Sequence, residues 1–507
     1  MSAQRLDARS LRDLVLDAGS WQSWDSPVIR PEVPADYARE LADAAEKSRQ
    51  DESIITGEGR LRGRRVAVVA GEFAFLAGSI GVAAAERLIA AVERATDEGL
   101  PLLAAPVSGG TRMQEGTVAF LQMIGITAAI ARHKEAGLPY LVYLRHPTFG
   151  GVLASWGSLG HVTIAEPGAS IGFLGPRVYQ ALYGEPFPEN VQTAEHLAER
   201  GLIDAVVPHE EVGDVADRAL RVLAARQTWH TDVRGAQRPT PEDGTDADDP
   251  EDHRSAWEVV TASRRGDRPG VRRLLRTAAT DVVGLSGTGA GEKDPGLLLA
   301  LARFGGAPCV VLGQDRRGQS MSAPLGPAAL REARRGMHLA EELRLPLVTL
   351  IDTPGAALSR EAEEGGLAGE IARCLHDMVV LRAPTLSMLL GQGTGGGALA
   401  LVPADRVLAA ANGWLGPLPP EGASAIVHRD VEHAGEMAQH QGVRATDLWR
   451  AGIVDRVVPE RPDAADEPVE FCERLGRVLG EELAGLLGRD DTERHRSRMH
   501  RYRHLGR

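Results

Sequence analysis

The sequence predicts an α/β protein made of two similar halves, and three observations support this fold class. Aromatic residues make up only 4% of the 507 residues whereas glycine occurs 58 times, so the core must be built from aliphatic side chains. Such cores are typical of parallel sheets covered by helices. Short apolar runs alternate with segments of helical spacing, which indicates a βαβ array. The second half also repeats the landmarks of the first in the same order, which indicates a duplicated fold.

Charge and cysteine content narrow the class of protein. The formal net charge of −13 argues against a general nucleic-acid binder. Cys309, Cys374 and Cys472 are too far apart for a CxxC pair, so we expect neither disulfides nor a metal site such as a zinc ribbon. We also expect a cytoplasmic protein without a membrane span. The chain begins without a signal-peptide pattern, and Glu72 and several glycines interrupt the long apolar stretch of residues 66–85.

The chain divides into five predicted segments. An acidic stretch at residues 240–253 has no apolar side chain larger than Ala or Pro, which indicates a flexible linker, with a functional acidic segment as the alternative. The basic end of the chain is expected to fray or lie on the surface. The predicted segments are a helical extension at 1–50, a first domain at 51–228, the linker at 229–255, a second domain at 256–485 and the basic tail at 486–507.

The internal repeat rests on landmarks that keep their order. Each is an apolar strand-like run, a glycine-rich turn, or both. Residues 306–313 correspond to 63–71, 345–355 to 100–110, 396–397 to 150–151, 415–422 to 173–177, and 452–459 to 201–208. A chance similarity would not keep so many landmarks in register, so we predict two copies of one fold.

A glycine pair in each half is the main candidate for chemistry. Gly150 and Gly151 follow the apolar run 138–144, and we interpret them as a turn between a strand and a helix. Such a turn can direct backbone N–H groups at one point beside the positive end of a helix, which is how an oxyanion hole forms. Gly396 and Gly397 occupy the matching position. Two oxyanion holes suit a reaction in which a thioester forms an enolate while a second reactant also develops negative charge on oxygen. The alternative is that these glycines have a purely structural role and only allow close helix–strand packing.

Basic residues near two other turns are candidates for binding a phosphorylated cofactor. Arg331 and Arg334 belong to a locally basic stretch of an acidic protein, for which a solvated helix face is the alternative. The second candidate is a Gly-rich turn followed by an arginine, formed by Ser108, Gly109, Gly110 and Arg112.

Two other kinds of site receive little support. His133, His146 and His161 lack metal-ligand spacing and are expected to be structural or surface residues. Ser155 with His161 and Asp204 would have the residue types of a hydrolase triad, but no Gly-x-Ser-x-Gly elbow surrounds Ser155.

These motifs resemble the carboxyltransferase component of bacterial acetyl-CoA carboxylase, from about residue 50 to about residue 460. The first half is similar to the β subunit of that family, and the second half to the α subunit. The matching motifs are residues 108–116, 147–151, 164–167 and 171–177 in the first half, and 351–355, 362–364, 395–400 and 420–422 in the second. The resemblance implies a fused β/α carboxyltransferase with two crotonase-like domains. The zinc ribbon usual in the family's β subunit is absent from this sequence.

The resemblance also implies a reaction. Carboxybiotin on a biotin carboxyl carrier protein would give its carboxyl group to acetyl-CoA, making malonyl-CoA for fatty-acid synthesis. Gly150–Gly151 and Gly396–Gly397, or the adjacent Ala398 amide, would be the donors of two holes. One hole would hold the enolate oxygen of the CoA thioester and the other the biotin ureido oxygen, with either assignment open. Biotin nitrogen would take the α-proton, so no side-chain base would be needed.

Partners and alternatives follow from the same resemblance. A biotin carboxylase and a homodimer or larger assembly are implied. Residues 286–293 and 315–323 match the family only in part, so propionyl-CoA or another acyl-CoA remains an alternative substrate. A biotin-independent malonyl-thioester decarboxylase and a non-catalytic scaffold are the alternative functions, although a scaffold would not need both glycine pairs.

Overall fold

The computed structural model describes residues 6–28, 33–225, 253–320 and 323–504. The chain forms two compact units: Met1–Ala224 with Gly289–Gly291, and Ala225–Thr288 with Glu292–Arg507. Of the predicted linker at 229–255, only residues 253–255 lie within the described residues. No helix in the described ranges combines the length and the apolar character needed to cross a bilayer.

The first unit is built on a seven-stranded sheet in the order β1–β2–β3–β4–β5–β7–β9. The strands are β1 (Gln22–Ser23), β2 (Ile54–Leu61), β3 (Arg64–Gly71), β4 (Leu102–Ala105), β5 (Tyr140–Leu144), β6 (Thr148–Phe149), β7 (Val162–Ala165), β8 (Ile171–Gly172) and β9 (Ala205–Val206). The first three strands pair antiparallel and the remaining pairs are parallel. The short strands β6 and β8 pair separately beside the carboxyl end of β5.

Helices cover this sheet, because parallel strands need long crossover connections. They are α1 (Ala8–Val15), α2 (Ala35–Ser48), α3 (Val82–Asp97), α4 (Gly116–Glu135), α5 (Pro176–Tyr183), α6 (Ala194–Glu199) and α7 (Val212–Leu223). Every residue of β4 and β5 is buried, and α3 packs small side chains such as Ala84 and Ala91 on the sheet. The predicted extension at 1–50 is part of this unit, since β1 pairs with β2 and the Ala8 N–H donates to Glu72 Oε2 at 3.0 Å.

The second unit repeats the architecture of the first. Its seven-stranded sheet has the order β10–β11–β12–β13–β14–β15–β16, again with antiparallel pairs followed by parallel ones. The strands are β10 (Thr280–Leu285), β11 (Leu297–Phe304), β12 (Ala307–Gln314), β13 (Leu347–Thr353), β14 (Thr385–Gly393), β15 (Arg406–Ala410) and β16 (Arg456–Val458). The predicted duplication is therefore confirmed.

The helices of the second unit include one that begins with the same backbone conformation as α3 of the first unit. They are α8 (Ala256–Ser263), α9 (Val271–Ala278), α10 (Pro327–Glu342), α11 (Arg360–Glu364), α12 (Leu367–Val380), α13 (Gly395–Leu399), α14 (Pro420–Val427), α15 (Ala434–His440), α16 (Ala445–Arg450), α17 (Pro468–Leu487) and α18 (Asp491–Arg501). Gly81 before α3 has φ −99° and ψ −176°, and Gly326 before α10 has φ −100° and ψ −178°. The duplication thus extends to individual backbone angles.

The end of the chain differs from the expectation. We expected the tail to fray or lie on the surface, but residues 491–501 form α18 and two of its arginines are buried. Arg494 Nη1 lies 3.0 Å from Asp405 Oδ2, and Arg498 Nη1 donates to Thr385 Oγ1 at 2.6 Å. At least one basic residue of this arginine-rich segment is therefore the ion-pair partner of a buried carboxylate, that of Asp405.

Candidate active site

The first glycine turn begins where β6 ends. Gly150 has φ +70°, in the left-handed region that favours glycine, and its N–H donates to the Phe173 carbonyl at 2.9 Å. The residue that reverses the chain therefore has its own amide engaged inside the protein. Of the predicted pair of donors, Gly150 shapes the turn and cannot in this conformation donate to a substrate.

The neighbouring amide of Gly151 is different. Its N–H has no acceptor among the described residues. A Cβ at this position would lie 3.2 Å from Met123 Cγ and 3.3 Å from Thr111 Oγ1, so only glycine fits without displacing neighbours. The Gly151 carbonyl accepts the Ser155 hydroxyl at 2.5 Å, which fixes the next peptide group. Gly151 is thus the donor that the turn presents.

The segment after this turn is not the predicted α-helix. The chain continues through two short 3-10 turns, Gly150–Val152 and Trp156–Ser158. The helix dipole that we expected to assist the hole is therefore missing on this side, because a macrodipole requires aligned peptide groups over several turns. An oxyanion hole in the first unit would therefore depend on the direct N–H donor alone.

The second unit builds the same turn one residue earlier than predicted. Gly395 has φ +62° and donates its N–H to the Gly416 carbonyl at 2.9 Å, as Gly150 does to Phe173. Gly396 is therefore the counterpart of Gly151, and the predicted correspondence of 396–397 with 150–151 is shifted by one residue. A helix follows here as predicted, although α13 has only five residues.

The amides of Gly396 and Gly397 are available at this second turn. Neither N–H has an acceptor among the described residues. A Cβ at Gly396 would lie 2.6 Å from Ile371 Cδ1, and one at Gly397 would lie 3.4 Å from the Ala356 nitrogen. Both predicted donors of the second unit thus remain free to bind an oxyanion.

A second turn packs beside each glycine turn. Ser108 Oγ accepts the Gly110 N–H at 3.0 Å, and Thr353 Oγ1 accepts the Gly355 N–H at 3.1 Å. A Cβ on Gly150 would approach Gly110 Cα to 3.2 Å, which places the two turns of the first unit in direct contact.

This arrangement corrects the predicted role of the 108–110 turn. The Gly109 N–H donates to the Ala77 carbonyl at 2.8 Å, the Gly110 N–H is taken by Ser108 Oγ, and the Ser108 hydroxyl donates to the Gly110 carbonyl. Their donors are all engaged within the chain. The turn therefore shapes the wall of the site and offers no donor to a phosphate.

The predicted phosphate contact by Arg112 is also wrong. Its side chain and that of Glu52 are fully buried and form a two-point ion pair, with Nη1–Oε2 at 3.0 Å and Nη2–Oε1 at 2.5 Å. Burial alone would lower the pKa of Arg112, but the Glu52 carboxylate outweighs burial and the pKa is raised. Glu115 lies near the same guanidinium and accepts the Tyr37 hydroxyl. Arg112 therefore fixes the turn to the segment just before β2.

Arg331 and Arg334 lie on α10 and form ion pairs within their own unit. Arg331 Nη1 lies 2.7 Å from Glu292, and Arg334 Nε lies 2.7 Å from Asp377. Both also lie within ion-pair distance of Glu370, at 3.2 and 3.6 Å respectively. A phosphate would have to displace these carboxylates, so the structure favours the alternative of a partly solvated helix face.

The other sequence candidates support the backbone. The Ser155 hydroxyl is donated to a carbonyl, His161 Nδ1 accepts the Tyr140 N–H at 2.9 Å, and Asp204 accepts the Thr163 N–H at 2.8 Å. Within the ranges that the structure describes, no group of three or more metal-ligating side chains occurs.

Sequence reasoning missed the polar side chains that support the glycine turn of the second unit. Gln314 Nε2 donates to the Gly397 carbonyl at 2.7 Å, and the hydroxyls of Thr349 and Ser387 both donate to the Leu401 carbonyl at 2.8 Å. All three side chains are buried. The available signal was the placement of these polar residues on otherwise apolar strands.

Comparisons with known proteins agree with this architecture. The carboxyl transferase domain family matches residues 3–486. A Mycobacterium tuberculosis protein described as a probable biotin-dependent acyl-coenzyme A carboxylase beta3 subunit is 61% identical over 502 residues, covering 99% of both chains. The acetyl-coenzyme A carboxylase carboxyl transferase subunits beta/alpha of Saccharopolyspora erythraea are 35% identical over 494 residues, covering 95% of this chain and 86% of that one.

Solved structures show the same fold. The transcarboxylase 12S structure, described as a hexamer with methylmalonyl-coenzyme A and methylmalonic acid bound, has a TM-score of 0.70 at 22% identity and covers 94% of this chain and 90% of that one. A single-chain long-chain acyl-CoA carboxylase has a TM-score of 0.68 at 19% identity, covering 92% of this chain and 45% of that one. The two units are thus duplicated crotonase-like domains. With sequence family and fold matched along most of its length, this chain belongs to the carboxyl transferase family.

Proposed function

We propose that this protein is the carboxyltransferase component of a biotin-dependent acyl-CoA carboxylase. The proposed reaction transfers the carboxyl group from carboxybiotin, carried by a separate biotin carboxyl carrier protein, to acetyl-CoA, giving malonyl-CoA. One observation carries this proposal: matching turns in the two units each leave a backbone N–H without an acceptor among the described residues, at Gly151 and at Gly396. The names of the relatives are consistent with this reaction class.

The two turns suit the two negative charges that develop in such a transfer. Removal of the α-proton places charge on the thioester oxygen, and departure of the carboxyl group places charge on the ureido oxygen. A preorganised N–H donor aimed at a developing oxyanion contributes about 3 kcal/mol to the transition state. When bound, carboxybiotin supplies the carboxyl group and a ureido nitrogen able to accept the α-proton. Gly151 and Gly396 each hold one oxygen in this proposal.

The absence of side chains at both turns fits two flat acceptors. A Cβ at Gly396 would lie 2.6 Å from Ile371, and a Cβ at Gly151 would lie 3.2 Å from Met123. Close approach of a ligand to the backbone is a common reason for glycine at such positions. Packing within this chain therefore requires glycine at both turns, and the same lack of a side chain suits an acceptor that approaches the N–H closely.

Exposed apolar side chains in each unit support an assembly of several copies. In the first unit Phe120 on α4 is 58% exposed, and Phe173, whose carbonyl accepts the Gly150 N–H, is 63% exposed. In the second unit Ile426 and Val427 on α14 are likewise exposed. Exposed apolar side chains that neighbour each other on a helix, such as Phe120 and Ile124 one turn apart on α4, are typical of an interface. A second copy of this chain is the proposed occupant, giving a homodimer or a larger assembly.

The decisive assay combines the purified protein with a carboxylated biotin carrier protein and acetyl-CoA and measures malonyl-CoA. Propionyl-CoA in a parallel reaction decides between the two acyl substrates. The reverse reaction uses malonyl-CoA and decarboxylated biotin carrier. Carbon dioxide released from malonyl-CoA without any biotin would assign the decarboxylase instead. Inactivity with acetyl-, propionyl- and malonyl-CoA alike would favour a scaffold.

Light scattering after size exclusion tests the assembly separately. We expect a dimer or a larger species for the wild type, and a smaller species for Phe120→Glu, which places a charge on the exposed apolar face. Leu14→Glu is the matched control, because Leu14 is also an exposed apolar residue of the first unit but lies on α1. A monomeric wild-type protein would contradict the proposed assembly.

A further inference from the structure

Gln314 at the end of β12 connects the two turns of the second unit. Its side chain is 1% exposed. Nε2 donates to the Gly397 carbonyl at 2.7 Å, and Oε1 accepts the Asp352 N–H at 3.1 Å. We propose that Gln314 is a positioning residue that holds the turn of Gly395–Leu399 in the orientation required for its amides to donate. This inference rests on the proposed function, since it concerns the same turn.

The Gly397 carbonyl needs an anchor outside the helix. α13 has five residues, and beyond it the Leu401 N–H donates to the Ala398 carbonyl at 3.0 Å, one residue past Gly397. The Gly397 carbonyl therefore lacks its regular helical partner. Because a buried carbonyl without a partner is costly, the Gln314 amide stabilises this conformation over alternatives.

The need for an anchor is increased by the three consecutive glycines, 395 to 397. Glycine has more backbone freedom than any other residue, so this run has little intrinsic preference for one conformation. A peptide group is planar, so holding the Gly397 carbonyl fixes the whole peptide group between Gly397 and Ala398, directly after the donor amides. Gln314 thus supplies from outside the rigidity that the glycines themselves lack.

The other end of the Gln314 amide contacts the turn at residues 352–355, which packs beside the glycine turn. Asp352 precedes Thr353 and Gly355, whose hydroxyl–amide bond closes that turn. Gln319 adds two bonds there, from its Nε2 to the Asp352 carbonyl at 3.1 Å and to its Oε1 from the Thr353 hydroxyl at 2.6 Å. A fixed turn at this end gives Gln314 a rigid base from which to hold the glycine turn.

The first unit uses a different side chain for the same task. Its strand β3, which corresponds to β12, ends at Gly71 and has no side chain there. The Ser155 hydroxyl instead donates to the Gly151 carbonyl at 2.5 Å. Each unit therefore anchors one carbonyl of its donor turn by a side chain, although the anchors come from unrelated positions. This correspondence favours a role in orienting the turn over a role in general packing.

Two variants test the role of the donated hydrogen bond. Gln314→Met keeps the side-chain length and removes both hydrogen bonds. We expect kcat to fall about 10- to 100-fold with a much smaller change in KM for the acyl-CoA, at every pH. Gln314→Glu keeps the acceptor for Asp352, but a carboxylate cannot donate to the Gly397 carbonyl. Its protonated form can donate, and burial raises the pKa of a carboxyl group. Activity of this variant relative to wild type should therefore rise as the pH falls.

The comparison between these variants separates positioning from packing. The neighbouring charged groups Asp315, Arg316 and Asp352 are present in both variants, so their own titration is recorded in the Gln314→Met profile, and the difference between the two profiles reports the introduced carboxyl group together with its coupling to these neighbours. Gln439→Met is the control for the change of residue type, since Gln439 is an exposed glutamine of the same unit that also accepts a backbone N–H, that of Ala256 at 3.3 Å. We expect this control to retain wild-type kcat.

Hydrogen exchange measured by mass spectrometry gives a readout that does not depend on activity. Amides of residues 393–401 should exchange faster in Gln314→Met than in wild type, and at the wild-type rate in Gln439→Met. Wild-type kcat in Gln314→Met, or a pH profile of Gln314→Glu that parallels that of Gln314→Met, would overturn the inference. If Gln314→Met fails to fold, the pH profile of Gln314→Glu against wild type still decides. Lack of carboxyl transfer by the wild type would refute the proposed function, whereas the exchange result would still test the anchor.

Discussion

Replacing Gly150 by alanine tests the turn of the first unit. Gly150 has φ +70°, and a residue with a Cβ costs about 1–2 kcal/mol in this left-handed region. The new Cβ would also lie 3.2 Å from Gly110 Cα, a backbone atom that cannot move aside as a side chain can. The turn must therefore relax and displace the Gly151 N–H. Loss of such a donor costs about 3 kcal/mol, so we expect kcat to fall about 100-fold.

The assay is carboxyl transfer to acetyl-CoA, with unfolding in urea measured on the same preparations. Gly168→Ala is the matched control, because Gly168 has φ +68° in the same unit and no atom lies within 4 Å of the added Cβ. We expect this control to lose a similar 1–2 kcal/mol of unfolding free energy, about the cost of the left-handed backbone alone, and to keep its kcat. A Gly150→Ala protein with wild-type kcat would refute the assignment of this turn, as would an equal loss of kcat in the control.

Three further predictions concern buried charges. Arg112→Met leaves the Glu52 carboxylate buried without its ion pair and should lower the unfolding free energy by about 3–5 kcal/mol. The loss should be smaller in the double variant that also carries Glu52→Gln, and urea titration measures the unfolding free energy of both variants. Burial raises the pKa of Glu332 from 4.5 to about 7, so the native state binds this proton more tightly than the unfolded state does. The unfolding free energy should therefore fall as the pH rises from about 4.5 to about 7. Glu332→Gln should remove this part of the pH dependence, and an unchanged dependence would exclude Glu332 as its source. Arg498→Met removes the donor to Thr385 and should increase hydrogen exchange along α18, whereas unchanged exchange would show that this contact does not hold the helix.

The duplication could be predicted because its landmarks are local. A buried parallel strand is an apolar run of a few residues, and the turn after it contains glycine wherever φ is positive. Both signals are visible in one sequence. The matching runs that became β4 and β13 therefore identified the repeat before any contact was known.

The positions of the donors could not be predicted to the residue. Three consecutive glycines from 395 to 397 leave open which one takes the left-handed conformation. The Gly416 carbonyl decides this by accepting the Gly395 N–H, and Gly416 is remote in sequence. The same limitation affected Arg112, because its partner Glu52 lies 60 residues away and no local sequence pattern indicates the pairing. Long-range pairing decided both cases.

The donors at Gly151 and Gly396 are main-chain amides, and this has a consequence for how the protein responds to its surroundings. A peptide N–H has no proton to lose in the range where carboxyl, imidazole and thiol groups titrate. In the proposed reaction, the strength of both holes therefore stays constant when the acidity of the medium changes. Any optimum in a pH–rate profile then reports on the reactants or on the groups that hold the turns in place. Mutation of surrounding side chains can likewise alter which acyl group fits without removing the donors themselves.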